Sequence, residues 1–361
     1  MKPGTLLSRE PVDTAIPGAQ AWRVRYASVD VRDVPHEVTG LVVAPVEPGA
    51  DRPIVTWSHG TTGLGDVACP SAQPDPVREL TTYFTPEATG QIDYGVPGLA
   101  GFITAGHVVC ATDYQGLGSP GIHQYLVNRT NARDALFIAH AAREMGIAAG
   151  TRLGSIGWSQ GGGSAAALAE LDDSDFGDLT LVGTVLHSPA VASIAVGNPA
   201  GPSAALSGGA AAPDSHLLML VMGAAAAHPQ LRLGDLLTPL GVEIMTSVWN
   251  TQPVHHINDT VARLFRLKGA ILRKDPQRME DWNEAIASSS AARVQPRGAI
   301  LLCVDSFDGG TVVPVAWQTG YREAMEALGA SIEVRDFPDD DHFSLPISAE
   351  PVVQEWFAER W

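Results

Sequence analysis

Hydrophobic residues follow two patterns along this chain. Near the amino terminus, residues 21–26 and 38–44 alternate between apolar and polar positions, which is typical of paired antiparallel strands. Further along, short continuous apolar runs recur, as expected for parallel strands that are covered on both faces. These runs lie at residues 53–57, 107–111, 153–157, 179–186, 299–304 and 331–334.

Helical patterns separate most of these apolar runs. They cover residues 96–105, 131–144, 162–171, 316–328 and 351–361. Strands that alternate with helices imply a mostly parallel sheet with helices on both of its faces. The sequence therefore predicts an α/β fold.

The interval between residues 186 and 299 breaks the alternation, because more than a hundred residues are too many for a single crossover. It begins rich in Gly, Ala, Ser and Pro and continues as partly apolar helical segments, including the apolar run 217–227. We predict that residues 190–296 form a helical cap (lid) over the carboxyl edge of the sheet, where ligands bind in open α/β folds. Residues 1–189 and 297–361 would then form the catalytic core.

Composition and charge narrow the possible partners. Of the 361 residues, 45% are hydrophobic and 17% are charged, which is typical of a globular protein. The formal net charge of −17 argues against nucleic acids and anionic membrane surfaces as partners. The sequence specifies no oligomeric state.

No apolar stretch reaches the length of a membrane-spanning helix, so we predict no transmembrane segment. The first ten residues lack the apolar core of a signal peptide. We therefore expect a soluble protein, secreted if an export signal has been trimmed from this chain and otherwise cytoplasmic.

A candidate nucleophile motif, Gly157-Trp-Ser-Gln-Gly161, lies between an apolar strand run and a helical pattern, and it occurs once. In a nucleophile elbow, a serine on a tight strand-to-helix turn exposes its hydroxyl above the carboxyl end of the sheet. The flanking glycines are required because a side chain there would collide with the neighbouring strand and helix. We predict that Ser159 is a nucleophile rather than part of an ordinary glycine turn.

A serine hydroxyl needs an imidazole to take its proton and an acid to orient that imidazole, and in this type of site they follow the serine in the order acid, then histidine. His342 is the last histidine of the chain and follows the last strand pattern, so it is the predicted base. Two aspartates follow the run at 299–304. We favour Asp308 over Asp305, because the first residue after a strand is often still held in the sheet.

The tetrahedral oxyanion of acyl transfer needs two N–H donors. The backbone of Gln160, directly after the nucleophile, is expected to supply one of them. For the second we favour Thr61 over Gly60, in a loop whose glycines allow close approach of the backbone. The residues expected around the substrate are His59, as a brace for the loop rather than a base, Gly60, Trp158 and Tyr114.

We predict neither a cofactor nor a bound metal. Residues 116–121 match the dinucleotide pattern G-x-G-x-x-G, but Pro120 and the residues after it do not open a helix directly, as a dinucleotide site requires. The acidic run 339–341 beside His342 is interpreted as a charged turn, because no other histidine or cysteine cluster has metal-ligand spacing.

Several motifs together give the chain a resemblance to a known family. They are Ser58-His-Gly-Thr-Thr-Gly-Leu-Gly65 with Cys69-Pro-Ser71, Ala111-Thr-Asp-Tyr-Gln-Gly-Leu-Gly118, the elbow at 157–163, and the late aspartate and histidine. With them the chain resembles the secretory-lipase family of α/β-hydrolases, the lipase-A-type serine esterases and lipases. The resemblance implies an α/β-hydrolase fold with a helical lid after the sixth strand, a triad of Ser159, Asp308 and His342, and ester hydrolysis.

The predicted function is that of a serine carboxylic-ester hydrolase, which forms an acyl-enzyme with small-molecule or lipid esters of apolar acids. Residues 217–222 carry no charged residue to grip a peptide terminus, which favours esters. Two alternatives stay open. The same triad could cleave amide or peptide bonds or transfer an acyl group to an alcohol, or the fold could serve as a catalytically silent binding protein.

Overall fold

A computed structural model describes residues 1–88, 90–197, 213–307 and 312–361, and a nine-stranded sheet organises them. The strands are β1 (Leu6–Val12), β2 (Ala19–Val29), β3 (Pro35–Pro45), β4 (Arg52–Ser58), β5 (Val108–Thr112), β6 (Ala149–Trp158), β7 (Thr180–His187), β8 (Ala299–Asp305) and β9 (Ile332–Phe337). Their order across the sheet is β1-β2-β3-β5-β4-β6-β7-β8-β9. From β5 to β9 in this order all neighbours are parallel, whereas β1, β2 and β3 pair antiparallel. The predicted, mostly parallel sheet is confirmed.

Helices connect most of the strands. In the described residues they are α1 (Leu99–Thr104), α2 (Asn128–Arg143), α3 (Gln160–Leu168), α4 (Asp173–Phe176), α5 (Ala192–Gly197), α6 (Ser215–Ala227), α7 (Pro239–Val248), α8 (Val254–Lys268), α9 (Met279–Ser288), α10 (Val315–Ala327), α11 (Leu345–Ser348) and α12 (Glu350–Ala358). Short 3-10 turns cover Asp66–Ala68, Pro70–Ala72 and Leu233–Asp235.

The central strands are mostly apolar because both of their faces are covered. In β6, Leu153 belongs to an apolar cluster with α2 and α3 on one face, whereas Ile156 belongs to a cluster with α1 and α12 on the other. Successive strand residues point to opposite faces, so burial of both faces removes the regular alternation of apolar and polar positions. This explains why the apolar runs predicted the parallel strands.

The alternating pattern identified two of the three amino-terminal strands. Residues 21–26 and 38–44 pair antiparallel in β2 and β3, as predicted. The sequence did not indicate β1, which forms the edge of the sheet beside β2. Four consecutive residues of β1, from Ser8 to Pro11, are exposed, so this strand carries little hydrophobic signal.

Between His187, which ends β7, and Ala299, which begins β8, the described residues form helices α5 to α9. These helices share an apolar cluster that includes Leu218, Met245 and Trp282. The apolar run at 217–227 lies in α6, most of whose residues are buried. The assignment of residues 190–296 as a cap stays a prediction. In the described residues, each helix is too short or too polar to cross a membrane.

Candidate active site

Ser159 lies on the turn between β6 and α3, with backbone angles of φ +57° and ψ −118°. Residues other than glycine rarely adopt a positive φ, so this conformation is strained and depends on its surroundings. The Ser159 N–H donates to the His187 carbonyl at 3.0 Å. The Ser159 carbonyl accepts from the amides of Gly163 and Ala190 at 3.2 and 2.8 Å. The turn therefore has the geometry of a nucleophile elbow.

The glycines that flank Ser159 leave no room for a side chain. A Cβ on Gly157 would lie 2.0 Å from the Gly161 carbonyl oxygen, and one on Gly161 would lie 1.8 Å from the Ser58 carbonyl oxygen. Both distances are far below van der Waals contact and involve backbone atoms that cannot move aside. The two glycines let helix α3 begin directly against the ends of β4 and β6.

His342 lies on the loop that follows β9, beside the turn that carries Ser159. The Trp158 indole N–H donates to the His342 carbonyl at 2.8 Å, and the two ring centroids are 5.5 Å apart. Trp158 directly precedes Ser159, so this bond fastens the histidine loop next to the serine. The His342 side chain is 2% exposed.

Asp305, the last residue of β8, faces the imidazole of His342. Its Oδ2 lies 3.6 Å from His342 Nδ1, and the Asp305 side chain is fully buried. Among the described residues, neither atom has another hydrogen-bond partner. A buried polar atom without a partner is costly, so each of the two is the other's natural partner.

The other oxygen of Asp305 is held by two side chains. Asp305 Oδ1 accepts hydrogen bonds from the Ser188 hydroxyl and from Gln318 Nε2, the latter at 2.7 Å. Burial raises the pKa of Asp305, but the contacts with His342, Ser188 and Gln318 outweigh it and hold the pKa below its ordinary value. Asp305 is therefore a carboxylate at neutral pH and can stabilise a positive charge on the imidazole.

Asp308, which the sequence favoured as the acid, lies in residues 308–311, outside the described residues. The argument against Asp305 was that its strand position would hold it in the sheet. The strand does include Asp305, which pairs with Phe337 of β9. Its backbone is in the sheet, yet its side chain reaches the histidine loop above the sheet edge.

The two oxyanion candidates lie on either side of the elbow. Gln160 begins α3, where backbone N–H groups have no partner within the helix and attract negative charge. Thr61 lies in the loop after β4 and is 8% exposed. The Gln160 side chain contacts His123, and the Thr61 side chain contacts Tyr125. Sequence reasoning did not identify these two contacts, because residues 123–125 have only the polar and aromatic character of an ordinary loop.

The residues expected around the substrate pack closely together. His59 Nδ1 lies 2.6 Å from the Gly60 carbonyl oxygen, and the Tyr114 hydroxyl donates to the His59 carbonyl at 3.0 Å. Burial lowers the pKa of His59, which favours the neutral ring. A Cβ on Gly60 would lie 2.8 Å from Trp158 Cε3, so only glycine lets this loop pack on the indole. His59 thus has the contacts of a loop brace.

Two buried histidines near the elbow should make the stability of the protein depend on pH. Burial lowers the pKa of both His123 and His187 to about 3. In the unfolded chain a histidine titrates near pH 6.5, so below that pH the unfolded state binds protons that the folded state does not. We expect the free energy of unfolding to fall as the pH drops from about 6.5 towards 3, by up to about 1.4 kcal/mol per pH unit for each group.

Urea denaturation at several pH values between 7 and 4.5 measures this slope. The variant His187→Asn removes one of the two titrating groups and should show a shallower slope than the wild type. A variant slope equal to that of the wild type would contradict the assignment, whatever the change in absolute stability.

In the parts of the chain that the structure describes, no group of three or more His, Cys, Asp or Glu side chains is placed to hold a metal ion. The His342 side chain lies next to that of Asp305 and next to Trp158, which directly precedes Ser159.

Comparison with known proteins places the chain near lipases and esterases. The model of the family described as secretory lipase matches residues 85–225, which confirms the resemblance suggested by the motifs. No curated protein matches the chain.

Solved structures resemble the chain over nearly its whole length. The rice cell wall degrading esterase LipA from Xanthomonas oryzae, in a ligand-bound form, is 18% identical, with a TM-score of 0.70 over 99% of this chain and 97% of that chain. Lipase A from Candida antarctica is 15% identical, with a TM-score of 0.73 over 99% of this chain and 82% of that chain. A putative hydrolase from Legionella pneumophila is 15% identical, with a TM-score of 0.68 over 98% of each chain. The predicted α/β-hydrolase fold is confirmed, and the family match and fold support an ester-hydrolase function.

Proposed function

We propose that this protein is a serine carboxylic-ester hydrolase that works through an acyl-enzyme. One observation carries the proposal: a strained serine on a strand-to-helix turn is fastened, through its neighbour Trp158, to the loop of a buried histidine–carboxylate pair. Strain of this kind persists only where the surroundings enforce it, and it is common at functional sites.

In the proposed reaction, Ser159 Oγ attacks the ester carbonyl carbon while His342 takes the hydroxyl proton. The tetrahedral intermediate collapses, the alcohol leaves with the proton from His342, and the acyl group stays on Ser159 as an ester. Water then attacks this ester, with His342 as base again, and releases the acid. Backbone N–H groups of Gln160 and Thr61 would hold the negative oxygen of both intermediates.

We assign the orienting acid to Asp305. Its carboxylate is charged, buried and 3.6 Å from His342 Nδ1, and two further side chains fix its other oxygen. A small closure of this gap gives a hydrogen bond from Nδ1–H, which leaves the opposite ring nitrogen free to accept the serine proton. Hydrogen bonds in unliganded sites of this kind are often long and tighten on substrate binding.

The substrates that we propose are esters of apolar acids. Aromatic side chains from separate parts of the chain meet beside His342: the rings of Phe343 and Phe84 are 4.9 Å apart, and Tyr83 stacks on His255 of α8 at 3.9 Å. Phe84 is 68% exposed although it is a large apolar residue. The ring of Phe84 packs on Phe343, the residue after His342, and would contact an acyl chain held beside that histidine. We propose that the helices of residues 190–296 form the lid over this site.

Two measurements on the full chain test the proposal. A fluorophosphonate probe followed by peptide mapping should place the label on Ser159. Rates with p-nitrophenyl esters of increasing acyl length, compared with aminoacyl p-nitroanilides, should show ester hydrolysis at turnover numbers of about 1–10³ per second and much slower anilide cleavage.

Other outcomes would identify the alternatives. Faster anilide than ester cleavage would favour an amidase, and acyl transfer to an added alcohol in preference to water would favour an acyltransferase. A folded protein that neither reacts with the probe nor cleaves any ester would contradict the proposed function and favour a binding role.

A further inference from the structure

A short segment before α2, residues 122–127, touches both oxyanion candidates. The His123 ring reaches Gln160, with the two Nε2 atoms 2.6 Å apart. The Tyr125 hydroxyl reaches Thr61 Oγ1 at 2.8 Å. Gln160 begins the helix after the nucleophile, whereas Thr61 lies in the loop after β4. His123 and Tyr125 lie two residues apart in one segment. They therefore contact the two separate parts of the chain that are expected to supply the N–H donors for the oxyanion.

The hydrogen bonds of His123 define its tautomer. His123 Nδ1 lies 2.8 Å from the Gln115 carbonyl oxygen, which can only accept, so Nδ1 carries the proton. In a neutral ring Nε2 is then an acceptor, and Gln160 Nε2 donates to it. Burial lowers the pKa of His123 to about 3, so the ring stays neutral at physiological pH. The bond to Gln160 therefore has one fixed direction.

The ring of His123 has little freedom to move away from Gln160. It stacks on the Tyr114 ring with centroids 5.5 Å apart and planes at 11°, and it is fully buried. Its backbone N–H donates to the Leu64 carbonyl at 2.9 Å, in the same loop as Thr61. Gly223 of α6 packs directly against the backbone of Tyr125, since a Cβ on this glycine would lie 2.4 Å from the Tyr125 nitrogen. The backbone of Tyr125 is therefore confined as well.

We propose that His123 and Tyr125 are positioning residues that set the two oxyanion donors, His123 by holding the first residue of α3 and Tyr125 by holding the loop at Thr61. The inference rests on the proposed ester-hydrolase function. An oxyanion hole works because its donors are in place before the charge develops, and a misplacement of about 1 Å costs as much as 10²-fold in rate. Neither side chain needs to touch the substrate for this role.

The first test replaces His123 by Phe, which keeps the stacking on Tyr114 but cannot accept from Gln160. We expect kcat per active site for p-nitrophenyl butyrate to fall by about 10- to 100-fold with little change in KM, because a transition-state contact is affected. Inhibition by a trifluoromethyl ketone, which forms the oxyanion on the enzyme, should weaken in parallel. Active sites are counted by burst titration, so that a loss of folded protein does not count as a loss of rate.

A second variant, Gln160→Leu, removes the same hydrogen bond from its other side and keeps the proposal testable if His123→Phe does not fold. In the double variant the two losses should not multiply, because one hydrogen bond is removed twice. For the contact between Tyr125 and Thr61, we expect Tyr125→Phe to lower kcat by about 10-fold. When it is combined with Thr61→Val, kcat should fall little further than in either single variant. Unchanged kcat in His123→Phe or Tyr125→Phe, or multiplicative losses in either double variant, would overturn the proposal.

His140→Phe is the matched control. His140 is a half-buried histidine of α2 whose Nε2 bonds to the Asp175 carbonyl at 3.0 Å, away from the elbow, and kcat should not change when it is replaced. The wild type separates this inference from the proposed function. If the wild type neither cleaves esters nor reacts with a fluorophosphonate at Ser159, the function itself fails; if it does both and the variants keep full kcat, only the positioning role fails.

Discussion

Replacement of Ser159 by Ala is expected to lower turnover of p-nitrophenyl esters by about 10⁶-fold. The variant loses the atom that forms the acyl-enzyme, and no other step of the proposed reaction can proceed without it. It should also lose all fluorophosphonate labelling. A variant that keeps full activity would exclude Ser159 as the nucleophile.

A second variant, Ser159→Gly, is a control for the loss of activity in Ser159→Ala and also tests the backbone strain at this position. Ser159→Gly should be as inactive as Ser159→Ala, because both lack the hydroxyl. However, glycine adopts a φ of +57° and a ψ of −118° without the steric cost that Ser and Ala share. Glycine should relieve about 1–3 kcal/mol of backbone strain. Its greater freedom in the unfolded chain costs about 1 kcal/mol of stability. We therefore expect the glycine variant to be slightly more stable than the alanine variant.

Urea denaturation of the two variants measures that difference. Equal or lower stability of the glycine variant would mean that the turn stores little strain, and the structural argument for a nucleophile elbow would lose its energetic basis. The loss of activity in both variants would still identify the serine.

The parallel part of the fold could be predicted because burial of both sheet faces leaves continuous apolar runs. Strands β4 and β6 have this pattern, and both were identified. Edge strand β1 was not, because its outward residues are polar and exposed. Helix α6 is apolar around nearly its whole circumference, so the sequence indicated that it is buried but not which neighbours bury it.

Only part of the candidate site could be predicted from the sequence. Ser159 is marked by a local motif whose glycines have a steric role at close range. The acid has no local motif and is indicated only by its position after a strand. A shift of one residue in the predicted end of that strand therefore changes whether Asp305 or Asp308 is favoured. The contacts of His123 and Tyr125 join segments that lie 37 and 64 residues apart in the chain, and a single sequence gives no sign of them.

The choice between the two aspartates leads to the second large effect. Asp305→Asn should lower kcat by about 10⁴-fold, because an amide that turns its NH2 group towards His342 favours the wrong imidazole tautomer. The remaining carbonyl oxygen can still accept from Ser188 and Gln318, so the local structure is expected to persist. Asp308→Asn is the matched control and should keep kcat within about twofold, because it leaves Ser159, His342 and Asp305 unchanged. Steady-state rates per active site for the two variants decide the assignment. A large loss in Asp308→Asn with a small one in Asp305→Asn would return the acid to Asp308 and would make the 3.6 Å contact between Asp305 and His342 a structural one only.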